Sequence, residues 1–152
     1  MATFRSRILD RMLRLLTARP IDPKADPAVM RDKINRLAKR YGRKAKGVDV
    51  KTFDLDGMPA EWIVPHELKD KAADAAVLLY LHGGGYILCS PDTHRPLIAT
   101  LAKKSGSRAL VIDYRLAPAH PFPAAIDDAL KAYRWLLAQG TPASSITVAG
   151  DS

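Results

Sequence analysis

The sequence has 152 residues, of which 47% are hydrophobic and 26% are charged, a composition typical of one globular domain. Its net charge of +8 belongs to the first 46 residues, which contain 14 Lys and Arg against 4 Asp and Glu, while the rest contains 10 against 12. Because the basic charge is confined to one end and no nucleic-acid-binding motif accompanies it, we expect no nucleic-acid partner.

The number of cysteines and the length of the apolar runs bear on the cellular compartment of the protein. A single cysteine, Cys89, excludes an intramolecular disulfide and fits a reducing compartment, so we expect a cytoplasmic protein. No apolar run approaches the roughly 18 residues of a membrane span, which argues against stable membrane insertion. The first 16 residues have no uninterrupted apolar stretch behind their charges and do not resemble a secretory signal.

Two helices are predicted before residue 46. Residues 3–18 form a basic amphipathic pattern in which apolar side chains recur every fourth position, at Phe4, Ile8, Met12 and Leu16. A second helix is predicted from an Asp26 cap and Pro27 to a stop at Gly42, with an apolar face of Met30, Ile34, Leu37 and Tyr41. Packing of this helix pair on the rest of the protein is the favoured interpretation, and contact with a membrane surface or a targeting role are the alternatives.

From residue 47 the periodicity changes to that of strands. "VDVKTFDL" and "AEWIVP" are separated by an Asp-Gly turn and predict a β-hairpin. Continuous apolar runs at 76–81 and 108–114 predict buried strands, and a third apolar run at 145–150 predicts the last strand, which would have an open edge in residues 1–152 alone. Residues 93–106 and 121–140 have helical spacing with a glycine stop, and the second helix is predicted to have an apolar face of Ile126, Leu130, Tyr133 and Leu137. This order predicts an α/β fold with a mostly parallel sheet, helices on both faces and antiparallel strands at one edge.

The stretch "YLHGGGY" directly follows the first parallel strand. Glycine runs cost backbone entropy, so three in a row at the carboxyl end of a strand indicate a ligand or another backbone at close range. The spacing fits neither common phosphate-binding glycine motif, which leaves a tight turn or a set of backbone N–H donors for an oxyanion.

The end of the sequence favours the oxyanion interpretation. "TVAGDS" runs from a predicted strand into Gly150, Asp151 and Ser152, the first half of the G-x-S-x-G turn on which a nucleophilic serine is exposed. If the two strands are adjacent and parallel, Ser152 and the glycines meet at one edge of the sheet.

These motifs carry a family resemblance. "YLHGGGY", "DYRLAPAHPFPAAIDD" and "GDS" resemble the hormone-sensitive-lipase-like esterases of the α/β-hydrolase fold over residues 80–152. The resemblance implies hydrolysis of short- to medium-chain acyl esters by a serine, without metal or organic cofactor. It also implies that residues 1–46 are cap helices over an active site and that residues 47–152 form the N-terminal half of the catalytic domain.

Residue roles follow from the same resemblance. Ser152 would be the nucleophile, Gly84 and Gly85 the oxyanion donors, and Gly83 the residue that shapes the turn. His82 would orient the loop. A further implied role is bracing of the loop from the next strand end by Asp113, Tyr114 and Arg115.

The catalytic acid and base are not assigned. In this fold both follow the serine along the chain, and structural or surface roles are favoured for His66, His82, His94 and His120. Asp151 adjoins the serine and is expected to point elsewhere. Two explanations are considered for the end at Ser152: a true fragment, or a sequence that stops because Ser152 or the residue after it is represented differently, for instance as a covalently modified serine. The second is favoured.

The function predicted from the sequence is therefore that of a serine carboxylesterase acting on a small ester. Two alternatives stay open: a ligand-binding protein on the same fold that lacks the base, and a membrane-surface binder acting through the basic N-terminal helix. A homodimer is considered as the oligomeric state of the protein.

Overall fold

A computed structural model describes residues 26–42 and 44–152. Three α-helices are present in this part of the chain: α1 (Pro27–Tyr41), α2 (Pro91–Ser105) and α3 (Ala124–Ala138). Five strands form one sheet: β1 (Val48–Leu55), β2 (Met58–Pro65), β3 (Val77–Leu81), β4 (Arg108–Ile112) and β5 (Ile146–Gly150). The predicted helix over residues 3–18 lies outside the described residues.

The sheet has the order β1-β2-β4-β3-β5. β3 pairs in parallel with β4 on one side and with β5 on the other, whereas β1 and β2 form an antiparallel hairpin that joins β4. Asp56 and Gly57 both have positive φ at the hairpin turn, as a two-residue loop that follows strand twist requires. The predicted hairpin and parallel strands are confirmed, and so is the predicted α/β class with antiparallel strands at one edge of the sheet.

Side chains alternate between two apolar layers. Val77 and Leu79 of β3 face α3, where Ala132 and Leu136 are buried, whereas Leu78 and Tyr80 belong to the opposite cluster. That cluster contains Ile98, Ala99 and Ala102 of α2. Helices therefore cover both faces of β3 and β4, which explains why the sequences of these two strands are continuous apolar runs.

Capping residues determine where the helices begin and end. Asp26 accepts a hydrogen bond from the Ala28 amide at the start of α1, and Gly42 ends that helix as predicted. α2 begins two residues earlier than predicted, because Ser90 is its N-cap, with its N–H donating to Thr93 Oγ1 at 3.2 Å, and Pro91 is its first residue. Gly106 ends α2 in the left-handed conformation.

Two predicted apolar faces are wrong in part. On α1, Leu37 and Tyr41 are exposed, while Met30 and Ile34 are half-buried. On α3, Ile126, Leu130 and Leu137 are 40–45% exposed, and the inward positions are taken by Asp128, Ala132 and Leu136. β5 has the open edge that was expected of it, since Val148 is 56% exposed and β5 pairs with β3 alone within the described residues.

Candidate active site

Three segments meet where the parallel strands end. The glycine loop, residues 82–89, follows β3; residues 113–118 follow β4; and Asp151 and Ser152 follow β5. Leu81 and Gly150 are register partners, so the glycine loop and Ser152 leave the sheet from paired positions. Both border a cleft that is also lined by His82, Gly83, Gly85 and Tyr114.

The glycine loop has no room for side chains at two of its glycines. A Cβ on Gly83 would lie 2.9 Å from Asp151 Cγ and from the Ser152 carbonyl carbon. A Cβ on Gly84 would overlap the carbonyl oxygen of Leu88, and the φ of +127° at Gly84 strains any other residue. The close neighbour that the glycine run indicated is therefore the chain's own Asp151–Ser152 segment at Gly83 and the returning loop at Gly84.

Backbone N–H groups in this loop are used unequally. The Gly83 N–H donates to Asp151 Oδ1 at 3.0 Å. Within the described residues, the N–H groups of Gly84 and Gly85 donate to no acceptor, whereas the Gly84 carbonyl accepts from Ile87 and Leu88 and thereby closes the turn. Gly85 lines the cleft and Gly84 directly precedes it in the chain, and N–H groups without an acceptor at such a place can bind an oxygen atom that carries negative charge.

Asp151 is the centre of a hydrogen-bond network. Its Oδ1 accepts from the Tyr80 hydroxyl at 2.8 Å and from Gly83, and its Oδ2 lies 3.0 Å from His94 Nε2. Burial opposes ionisation of the carboxyl, but these three donors hold its pKa below the ordinary value, so it is a carboxylate at neutral pH. Burial, together with the adjoining Asp151, raises the pKa of Tyr80 and keeps the phenol a donor.

His94 is not placed to act as a base. Its Nε2 faces Asp151, and its Nδ1 lies 2.7 Å from Thr93 Oγ1, so both ring nitrogens have partners. His82 is buried and stacks on Tyr114 with ring centroids 4.4 Å apart. Burial lowers the pKa of His82, and its Nδ1–H donates to the Gly83 carbonyl at 2.9 Å, an arrangement that orients the loop with a neutral ring.

The segment after β4 braces the loop through one of its three expected residues. The Tyr114 hydroxyl donates to the His82 carbonyl, and burial raises the pKa of Tyr114 to about 12. Arg115 instead makes paired hydrogen bonds of 2.8 and 3.0 Å with Asp128, the buried carboxylate of α3. No hydrogen bond joins Asp113 to the glycine loop in the part of the chain described by the structure.

Helix α1 is attached to the glycine loop by polar contacts. The Arg31 guanidinium donates to the Ile87 carbonyl at 2.9 Å and to the Ala117 carbonyl at 3.2 Å. One and two turns further along α1, Asn35 accepts from the Ser90 hydroxyl at 2.8 Å and Lys39 pairs with Asp92 at 2.9 Å. α1 therefore rests on the segment that leads from the glycines into α2.

Sequence reasoning located the glycines and Ser152 but missed the network of Tyr80, His94 and Asp151. One signal was available: Tyr80 lies in a strand predicted to be buried on both faces, where its hydroxyl needs a partner. The sequence does not show that this partner is Asp151, because 71 residues separate it from Tyr80. The contact of His94 with Asp151 depends in turn on how α2 packs on the sheet.

Comparison with known proteins gives consistent matches. The family model described as alpha/beta hydrolase fold matches residues 78–152. The chain is 48% identical over 93 residues to an acetyl-hydrolase of Streptomyces hygroscopicus, a match that covers 61% of this chain and 29% of that protein.

Solved structures match over almost the whole chain. An esterase/lipase from an uncultured bacterium has a TM-score of 0.85 and 36% identity, covering 99% of this chain and 49% of that one. An esterase from the bacterial hormone-sensitive lipase family has a TM-score of 0.79 and 37% identity, with 100% and 49% covered. The chain thus spans about half the length of these solved structures.

None of the helices in the described residues combines the length and the apolar character that a membrane span requires.

Proposed function

This chain belongs to the α/β-hydrolase family, in its hormone-sensitive-lipase-like branch, and from that premise we propose that the protein hydrolyses carboxylic esters with Ser152 as nucleophile. The observation that supports this most is the pairing of Leu81 with Gly150, because it brings the glycine loop beside Ser152. The unused N–H groups of Gly84 and Gly85 add an oxyanion site to the nucleophile.

The proposed reaction has two steps. The Ser152 hydroxyl attacks the ester carbonyl, a general base takes its proton, and the carbonyl oxygen becomes an oxyanion held by Gly84 and Gly85. Collapse expels the alcohol, which receives the proton, and leaves an acyl-enzyme. Water then attacks the acyl-enzyme by the same route and releases the acid. Because the acid and the histidine follow the serine in this fold, we assign both to residues after Ser152.

Short acyl esters are the proposed substrates. The glycine loop and Ser152 border an open cleft in which Tyr86, Tyr114 and Ile126 supply apolar surface. A relative that matches over 61% of this chain is named acetyl-hydrolase, which favours small acyl groups. A homodimer and a cytoplasmic location stay predictions from the sequence.

The first test is covalent labelling of the full-length protein with a fluorophosphonate, with hydrolysis of p-nitrophenyl acetate, butyrate and octanoate measured in parallel. We expect stoichiometric labelling, with the added mass on the peptide that contains Ser152, and loss of hydrolysis in proportion to labelling. A protein that binds these esters without labelling or turnover would be a ligand-binding relative and would contradict the proposal.

We also propose that α1 belongs to a cap that shapes the acyl site. The support is the pair of hydrogen bonds from Arg31 to the Ile87 and Ala117 carbonyls, which connect α1 to the glycine loop and to the segment after β4. These bonds involve a charged donor and are worth about 1.5–3 kcal/mol each when buried, less where water competes. Loss of the pair should therefore let both loops shift.

Replacement of Arg31 by methionine should change acyl-length preference. We expect the ratio of kcat/KM for p-nitrophenyl octanoate to that for the acetate to change by about three- to tenfold, since the freed loops alter the space beside the acyl chain. Arg36→Met is the matched control, because Arg36 is exposed on the same helix. Equal ratios in wild type and both variants would show that α1 does not shape the acyl site.

A further inference from the structure

Asp151 is placed between the nucleophile and the glycine loop. It precedes Ser152 directly, so the two Cα atoms are about 3.8 Å apart. Its carboxylate accepts the Gly83 N–H, and Gly83 precedes the two glycines with unused N–H groups. Beyond the strand pairing of Leu81 with Gly150, this hydrogen bond is therefore the direct link between the residue before the nucleophile and the residue before the proposed oxyanion donors.

Packing supports the same connection independently of that hydrogen bond. The space where Gly83 would carry a side chain is filled by Asp151 and by the Ser152 backbone. Gly83 is buried, and loss of the carboxylate would leave its N–H without the acceptor that it has in the folded protein. The loop thus contacts the nucleophile strand both through a hydrogen bond and through van der Waals surfaces.

The chemistry of the site requires a carboxylate. Three donors converge on two oxygens: Gly83 N–H and the Tyr80 hydroxyl on Oδ1, and His94 Nε2–H on Oδ2. An ionised aspartate accepts from all three, and hydrogen bonds to a charged acceptor are about twice as strong as neutral ones. Asparagine would keep one acceptor oxygen for the Gly83 N–H and the Tyr80 hydroxyl but would direct its NH₂ group at His94 Nε2, so the His94 ring would have to change tautomer to keep that contact, and the charged acceptor would be lost.

Resting on the proposed function, we propose that Asp151 is a positioning residue, which fixes the glycine loop against the nucleophile strand so that Gly84 and Gly85 meet the oxyanion formed at Ser152. Tyr80 and His94 hold the carboxylate from the other side. Asp151 does not contact the reacting atoms in this role.

The test compares Asp151→Ala, Asp151→Asn and wild type in the full-length protein, with rates counted per fluorophosphonate-titrated active site. We expect Asp151→Ala to lower kcat/KM for p-nitrophenyl butyrate about 100-fold, the loss that follows a displacement of about 1 Å, and Asp151→Asn to lower it about tenfold. Affinity for a trifluoromethyl ketone, which forms a tetrahedral adduct on the serine, should fall by the same factors, while KM changes less than threefold.

A purely structural role predicts a different result. It would lower the melting temperature and the titrated fraction but leave the rate per active site and the ketone affinity unchanged, and that outcome overturns the proposal. If Asp151→Ala does not fold, Asp151→Asn decides: values within twofold of wild type overturn the proposal. Asp70→Ala, an exposed aspartate of the 3-10 helix His66–Lys71, is the matched control.

The two proposals fail separately. Loss of labelling and turnover in wild type would contradict the proposed function. Serine-dependent turnover in wild type, with an unchanged rate per active site in the Asp151 variants, would contradict only the positioning role.

Discussion

Replacement of Ser152 by alanine is expected to lower kcat for p-nitrophenyl butyrate about a million-fold in the full-length protein, the loss found when a triad serine is removed. The reason is chemical: alanine has no oxygen with which to form the acyl-enzyme. The residual rate should be that of water attack assisted by the oxyanion donors, about 10³–10⁴-fold above the uncatalysed reaction. The measurement is steady-state hydrolysis with preparations free of wild-type enzyme.

The control for this change is Ser144→Ala, an exposed serine of the 3-10 helix Ala143–Ser145. It should hydrolyse the ester within twofold of wild type. A Ser152→Ala enzyme that keeps more than a tenth of the wild-type kcat would rule out Ser152 as the nucleophile, whatever the glycine loop does.

The second large effect is expected at Gly84. Gly84→Val should lower kcat about 10²–10³-fold, the contribution of one oxyanion donor, with a smaller effect on KM. Valine at φ +127° is strained, and its Cβ would overlap the Leu88 carbonyl oxygen, so the turn must open and its N–H must turn away. Steady-state kinetics and a thermal melt on the same preparation check this.

Gly57→Val serves as the matched glycine variant. Gly57 also has a positive φ, +88°, but lies in the β1–β2 hairpin with open space at its Cβ position. It should lower the melting temperature while kcat per folded molecule stays near wild type. If Gly84→Val lowers stability like Gly57→Val and leaves kcat unchanged, the glycines form a turn and no oxyanion site.

The strands and most helices could be predicted because their signals are local. The Asp-Gly turn requires two positive φ values, and both occur at Asp56 and Gly57. The start of α2 is two residues before the predicted one. The residues "SPDT" are also common in loops, and the cap depends on a contact between the Ser90 N–H and Thr93 Oγ1 that the sequence alone does not show. Periodicity assigned Ile126 to the core of α3, although Arg115 draws Asp128 inward by binding its carboxylate.

The site could be predicted only where adjacent residues form a motif. Three consecutive glycines and "GDS" point to their chemistry without knowledge of the fold. The hydrogen-bond partners of Asp151 could not be predicted from a motif, because they lie 57 to 71 residues away from it in the chain: Tyr80, Gly83 and His94. Which donors converge on one carboxylate depends on strand register and on the rotation of α2, and neither leaves a local pattern.

The missing side chain of Gly83 also has a consequence for how such chains can be recombined. Because Asp151 and the Ser152 backbone fill the space beside Gly83, the two segments have complementary shapes although 68 residues separate them. In a chimera of two homologues, a crossover between β3 and β5 would join a glycine loop from one parent to a nucleophile strand from the other. Parents that differ at residue 151 should then give folded but catalytically weak offspring, and inheritance of both segments from one parent should restore the rate.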